Sequence, residues 1–137
     1  MKALLVAGAD KNGASSYGDT PLICAARKDR VDCLKFLLSA GAAKDKADND
    51  GSTALRWASY NGHVECVKEL LAAKADVNKP TKNGSTPLMR ASSNNRVEIV
   101  KLLLAAGAKK GTMSTSGKTA LTLATEKGRH ELLQQAA

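Results

Sequence analysis

Gly51-Ser52-Thr53-Ala54-Leu55 returns as Gly84-Ser85-Thr86-Pro87-Leu88, and it is preceded by Gly18-Asp19-Thr20-Pro21-Leu22 and followed by Gly117-Lys118-Thr119-Ala120-Leu121. The four glycines stand 33 residues apart, with no insertion. A period of this size marks a solenoid, in which each unit buries its apolar face on its neighbours.

Working outward from the motif, every unit reads alike. Thr20, Thr53, Thr86 and Thr119 suit a helix N-cap, and Pro21 and Pro87 suit the first helical position, where no N–H is needed. Small pairs follow (Ala25-Ala26, Ala58-Ser59, Ala91-Ser92, Ala124-Thr125), and they let neighbouring helices approach closely. Asp29, Gly62, Asn95 and Gly128 then tolerate a left-handed turn. A second helix is expected with core columns Val31/Val64/Val97, Cys33/Cys66/Ile99, Leu34/Val67/Val100 and the pairs Leu37-Leu38, Leu70-Leu71 and Leu103-Leu104. It closes at Gly8, Gly41 and Gly107, whereas Lys74 breaks that column and costs about 1 kcal/mol if held left-handed. The expected fold is an all-α repeat solenoid.

Composition narrows the class. The 137 residues are 43% hydrophobic and 25% charged, which excludes a disordered tail, and no apolar run approaches the ~20 residues of a membrane span. Three cysteines without paired spacing argue against a disulfide scaffold and for a reducing compartment, hence an intracellular protein of the cytoplasm or nucleus.

A unit with Gly-x-Thr-Pro-Leu, a small pair, two helices and an Ala75-Asp76-Val77-Asn78 loop resembles the ankyrin repeat, most closely over 62–71. The resemblance covers the whole chain as a partial unit (1–14), full units (15–47, 48–80, 81–113) and a short capping unit (114–137) of one domain, 1–137. It implies β-hairpin-like loop tips and a curved array of stacked helix-turn-helix units with a concave face. The family pattern has His after Thr-Pro-Leu. Here Ile23, Arg56, Met89 and Thr122 occupy that column, which removes a hydrogen bond between loops. Asn78 is expected to hydrogen-bond its own backbone.

The residues needed for catalysis are missing. His63 and His130 lie in different units and different columns, and His63 holds the family's structural turn position. Cys33 and Cys66 share a core column instead of forming a C-x-x-C pair, while Cys24 points away from the core as a free thiol. Neither a cofactor nor a metal is expected, and the chain is not read as an enzyme.

Columns that change from unit to unit are free to serve a ligand. The first-helix face opposite Leu22 carries Cys24-Arg27-Lys28, Trp57-Tyr60-Asn61, Arg90-Ser93-Asn94 and Leu123-Glu126-Lys127, and the tips vary as well. The few aromatic residues decide the centre, because Tyr17, Trp57 and Tyr60 all fall in variable columns and Trp, Tyr and Arg are enriched in interface hot spots. The candidate partner-binding set is Tyr17, Arg27, Lys28, Trp57, Tyr60, Asn61, Lys82, Arg90 and Asn94. Trp57, Tyr60 and Arg90 are expected to be accessible together, and Trp57→Ala is expected to leave the melting temperature nearly unchanged. The competing reading is that Trp57 merely covers small-residue packing between helices.

Net charge is +8, distributed as +1, +2, −1, +5 and +1 over the successive units. A protein or peptide partner of acidic character fits that balance. The alternative is a nucleic-acid-associated basic adaptor using residues 81–113, but the −1 unit interrupts any continuous basic stripe. No membrane contact is expected. Leu4 and Leu5 match the core columns of Leu37 and Leu38, so the N-terminal face is expected to meet further repeats or to self-associate, whereas Gln135, Ala136 and Ala137 read as a capped end.

Overall fold

A computed structural model describes residues 18–112 together with 114, 115, 117, 119 and 120. The expectations for 1–14, Tyr17, Thr122, Gly128, His130 and 135–137 lie outside the described residues. Six helices are described: α1 (Pro21–Arg27), α2 (Val31–Ser39), α3 (Ala54–Asn61), α4 (Val64–Ala72), α5 (Pro87–Ser93) and α6 (Val97–Ala105). No strand occurs among the described residues. The chain is an all-α repeat solenoid.

Each first helix starts where its threonine caps it. Thr20, Thr53 and Thr86 Oγ1 accept from the N–H groups of Ile23, Arg56 and Met89 at 3.1, 3.2 and 3.3 Å. Each stops about two turns later because the chain turns left-handed at Asp29, Gly62 and Asn95, with φ of 57°, 78° and 59°. Those turns are closed by N–H bonds from Arg30, His63 and Arg96 to the carbonyls of Ala25, Ala58 and Ala91. The second helices end in the same way, at Gly41, Lys74 and Gly107, so Lys74 does hold the left-handed conformation at φ 66°.

The helices stack in two layers, α1 on α3 on α5 and α2 on α4 on α6, with each pair packed across the layers. Leu22, Leu55 and Leu88, the small residues Ala25, Ala26, Ala58, Ser59, Ala91 and Ser92, and Leu34, Val67, Val100, Leu37, Leu70 and Leu103 are buried between them. Three expected core columns are looser than read. Val97 is 41% exposed, Val31 and Val64 are half-buried, and Leu38, Leu71, Leu104 and Cys33 lie at the margin of the core. These positions flank the helix stripe that faces the neighbours, so they are covered only in part.

The loop tips have hairpin-like closure: Asp48 N–H bonds the Ser52 carbonyl and Thr81 N–H the Ser85 carbonyl, both at 2.9 Å. Adjacent tips are tied by Lys82 N–H to the Asp50 carbonyl and Thr115 N–H to the Asn83 carbonyl. This contact explains the periodic glycine. At Gly51 (φ 83°) an added Cβ would sit 2.9 Å from Lys82 N, and at Gly84 (φ 75°) 2.9 Å from Ser114 Cα.

Asn78 departs from its expected role. Its own N–H bonds Asp76 Oδ1, but its side chain crosses to the next loop, where Oδ1 accepts from Lys109 N–H at 2.8 Å and Nδ2 donates to the Gly107 carbonyl at 3.4 Å. A side chain on a stacked loop meets the next loop's backbone before it can fold back on its own.

Candidate functional site

The first-helix face and the tips meet at Trp57. Position 57 on α3 carries its indole toward the tip of its own unit, where Nε1 donates to Asp48 Oδ2 at 3.0 Å. Both oxygens of Asp48 are engaged, because Oδ1 accepts the N–H groups of Asp50 and Ser52. Arg27, one unit earlier, lies over the Trp57 ring at 5.4 Å and is held there by an ion pair of 2.8 Å with Asp19, only 7% exposed. Tyr60 meets Trp57 edge-on, with ring centroids 6.1 Å apart at 70°. Its own ring remains 39% exposed.

Arg56 completes the group, with its guanidinium 5.6 Å from the centroids of both Trp57 and Tyr60. Burial, followed by the neighbouring Arg90 charge, pulls it below its ordinary value, against smaller opposing effects of Asp48, Tyr60 and Asp50. The Nε atoms of Arg56 and Arg90 are both buried without a hydrogen-bond partner. Two open hollows flank Trp57. One, of about 390 Å³, is lined by Asp19, Arg27, Asp48, Asn49, Asp50 and Trp57. The other, of about 380 Å³, is lined by Asp50, Ser52, Arg56, Trp57, Thr81, Lys82 and Asn83.

The candidate residues therefore separate by role. Arg27, Trp57 and Tyr60 come together, Arg90 acts on Arg56 through its charge, and Lys82 lines the second hollow from the neighbouring tip. Lys28 is exposed at the end of α1. Asn61 and Asn94 are engaged in stacking: Asn61 Nδ2 donates to the Arg27 carbonyl at 3.3 Å, and Asn94 Nδ2 to the Tyr60 carbonyl at 3.0 Å. His63 and Arg96 reach the same two carbonyls, at 3.0 and 3.4 Å. These are carbonyls left open at the ends of short helices. A variable column is thus not automatically a free one.

Trp57 and Arg90 are half-buried instead of openly accessible, since the tip and the Arg27 side chain cover the indole. Trp57 also packs against the core, so its replacement by Ala carries a cost in stability. Arg56 is the functional candidate that the sequence reading passed over. Its signal was the single charged member of the column Ile23, Arg56 and Met89, whose other two are fully buried.

Among the described residues no three of His, Cys, Asp and Glu gather in a way that could hold a metal, and no helix is long and apolar enough to cross a membrane. The buried Cys66 thiol is pushed up to about 12 by burial and by its hydrogen bond to Asp29, which leaves it protonated and unreactive.

Fold and face together define a helical repeat solenoid with two open hollows beside Trp57. A family model described as ankyrin repeats, in three copies, matches residues 1–81 and 73–135. The chain belongs to the ankyrin repeat family, whose members generally mediate protein–protein interactions and are typically non-catalytic. No curated protein matches it.

Proposed function

We propose that the chain is a non-catalytic binding scaffold for an acidic protein or peptide, received on the concave first-helix face and the loop tips. In this reading residues 1–137 form one intracellular array, with the units bounded as 1–14, 15–47, 48–80, 81–113 and 114–137. The contact set is Tyr17, Arg27, Lys28, Trp57, Tyr60, Asn61, Lys82, Arg90 and Asn94, centred on Trp57 and Tyr60.

One observation carries the reading. Trp57 is already bonded to Asp48 and flanked by Arg27 and Arg56 in the free protein, while Tyr60 beside it stays open to solvent. An aromatic anchor already ordered in the free protein loses little entropy on binding. The basic residues of 81–113 favour a protein over a nucleic acid. They are spread over a tip (Lys82), both helices (Arg90, Lys101), the turn between them (Arg96) and the following loop (Lys109, Lys110), not gathered on one element as a phosphate-tracking stripe would favour.

The test is affinity capture from a cell extract with the wild-type chain and with Tyr60→Ala, followed by titration of purified components. A captured protein that binds the wild type at least about tenfold more tightly than Tyr60→Ala supports the proposal. Equal binding, or binding to nucleic acid that weakens steeply with salt, contradicts it.

A further inference from the structure

We infer that Arg56 and Arg90 form the anchor for a single carboxylate of the partner, an Asp or Glu side chain set beside an apolar residue that lies against Tyr60. The inference rests on the proposed binding face and names what that face selects.

Neither guanidinium has an ion-pair partner among the described residues, and both have a buried nitrogen with no hydrogen-bond acceptor. Arg27, by contrast, is neutralised by Asp19. Asp48 and Asp50 act on Arg56 through their charge but make no ion pair with it, and both Asp48 oxygens are engaged with the tip backbone and Trp57. Two like charges partly removed from water, with no carboxylate in ion-pair contact, destabilise the fold that holds them. The column gives the fold no need for such a charge, because Ile23 and Met89 fill the same position as buried apolar groups. Contact with two aromatic rings offsets only part of that penalty and orients the guanidinium plane.

Charge count sets the valence of the ligand. Arg56, Arg90 and Lys82 stand against Asp48 and Asp50, a local balance of one positive charge. One carboxylate neutralises it, whereas a doubly charged phosphate leaves an excess of negative charge beside Asp50. The planar guanidinium also matches a carboxylate in a two-point hydrogen bond. The half-exposed Tyr60 ring, next to it, offers an apolar face to the neighbouring residue of the ligand.

The experiment is selection from a display library of random 12-residue peptides against the wild-type chain, Arg56→Met, Arg90→Gln and Tyr60→Ala, each checked by its melting curve. Arg56→Met puts at position 56 the residue already buried at 89, so it is expected to melt higher than the wild type. Wild-type binders should carry an acidic residue adjacent to an apolar one, and should bind Arg56→Met and Arg90→Gln about tenfold or more weakly. Replacing the acid by Gln should produce the same loss, and replacing it by phosphoserine should give no gain. Binders that depend on Tyr60 but carry no acidic residue, or a clear gain with phosphoserine, would overturn this inference and leave the binding face intact. Binders indifferent to Tyr60→Ala would overturn both.

Discussion

Asn94 Nδ2 donates to the Tyr60 carbonyl at 3.0 Å, so the backbone of residue 60 is fixed by the next unit while its ring faces solvent at 39% exposure. The two halves of one residue thereby serve different ends: the carbonyl joins the units, and the ring is available to a partner. Trp57, three residues earlier, combines both ends in its side chain, which bonds Asp48 and packs on the core.

That contrast sets the first prediction. Tyr60→Ala should cost no more than about 1 kcal/mol, because only the ring contacts with Trp57 and Arg56 are lost while the stacking bond to its carbonyl survives. Trp57→Phe should cost about 1 kcal/mol through the lost bond to Asp48, and Trp57→Ala about 3 kcal/mol through lost packing as well. Urea unfolding of the three variants checks the order.

Lys74 is the only left-handed residue at the end of a described second helix that is not glycine, the others being Gly41 and Gly107. Lys74→Gly should stabilise the chain by about 1 kcal/mol by relieving the Cβ clash. Gly51→Ala should do the reverse and cost more, because its Cβ would meet the Lys82 backbone as well as a left-handed φ. Thermal melts of the two variants should move in opposite directions.

The period of 33 made the helices, the caps and the turns legible, since Thr53, Gly62 and their counterparts each perform a backbone task that only a few residue types can do. The stacking bonds were not legible. Asn61, His63, Asn94 and Arg96 all donate to carbonyls, and any polar donor of suitable length can do so, so no repeated letter marks them. Arg56 was missed for a related reason. A missing family histidine reads as a lost loop contact, and only packing reveals that the arginine in its place lies over both aromatic rings beside a second unpaired arginine.

The cysteines give a prediction in pH. Burial first, and then the hydrogen bond to Asp29, raise the Cys66 thiol from 9.0 to about 12. A raised native pKa means that this contribution to stability is whole below about pH 9 and is lost as the pH climbs toward 12. The difference in melting temperature between wild type and Cys66→Ala should therefore shrink as pH rises past 9. In a thiol-reagent assay at neutral pH, the half-buried Cys24 and Cys33 should react in the folded state, and Cys66 only on unfolding.

A partner that lands on the first-helix face must feel Tyr60 and not the opposite side of the stack. Calorimetric titration of a captured partner into three proteins tests it: the wild type, Tyr60→Ala, and Lys101→Ala on the exposed side of α6. The expected result is a Kd about tenfold or more weaker for Tyr60→Ala, which still melts cooperatively as a folded protein, with Lys101→Ala binding as the wild type does. A partner that binds Tyr60→Ala undiminished and loses affinity with Lys101→Ala would contradict it.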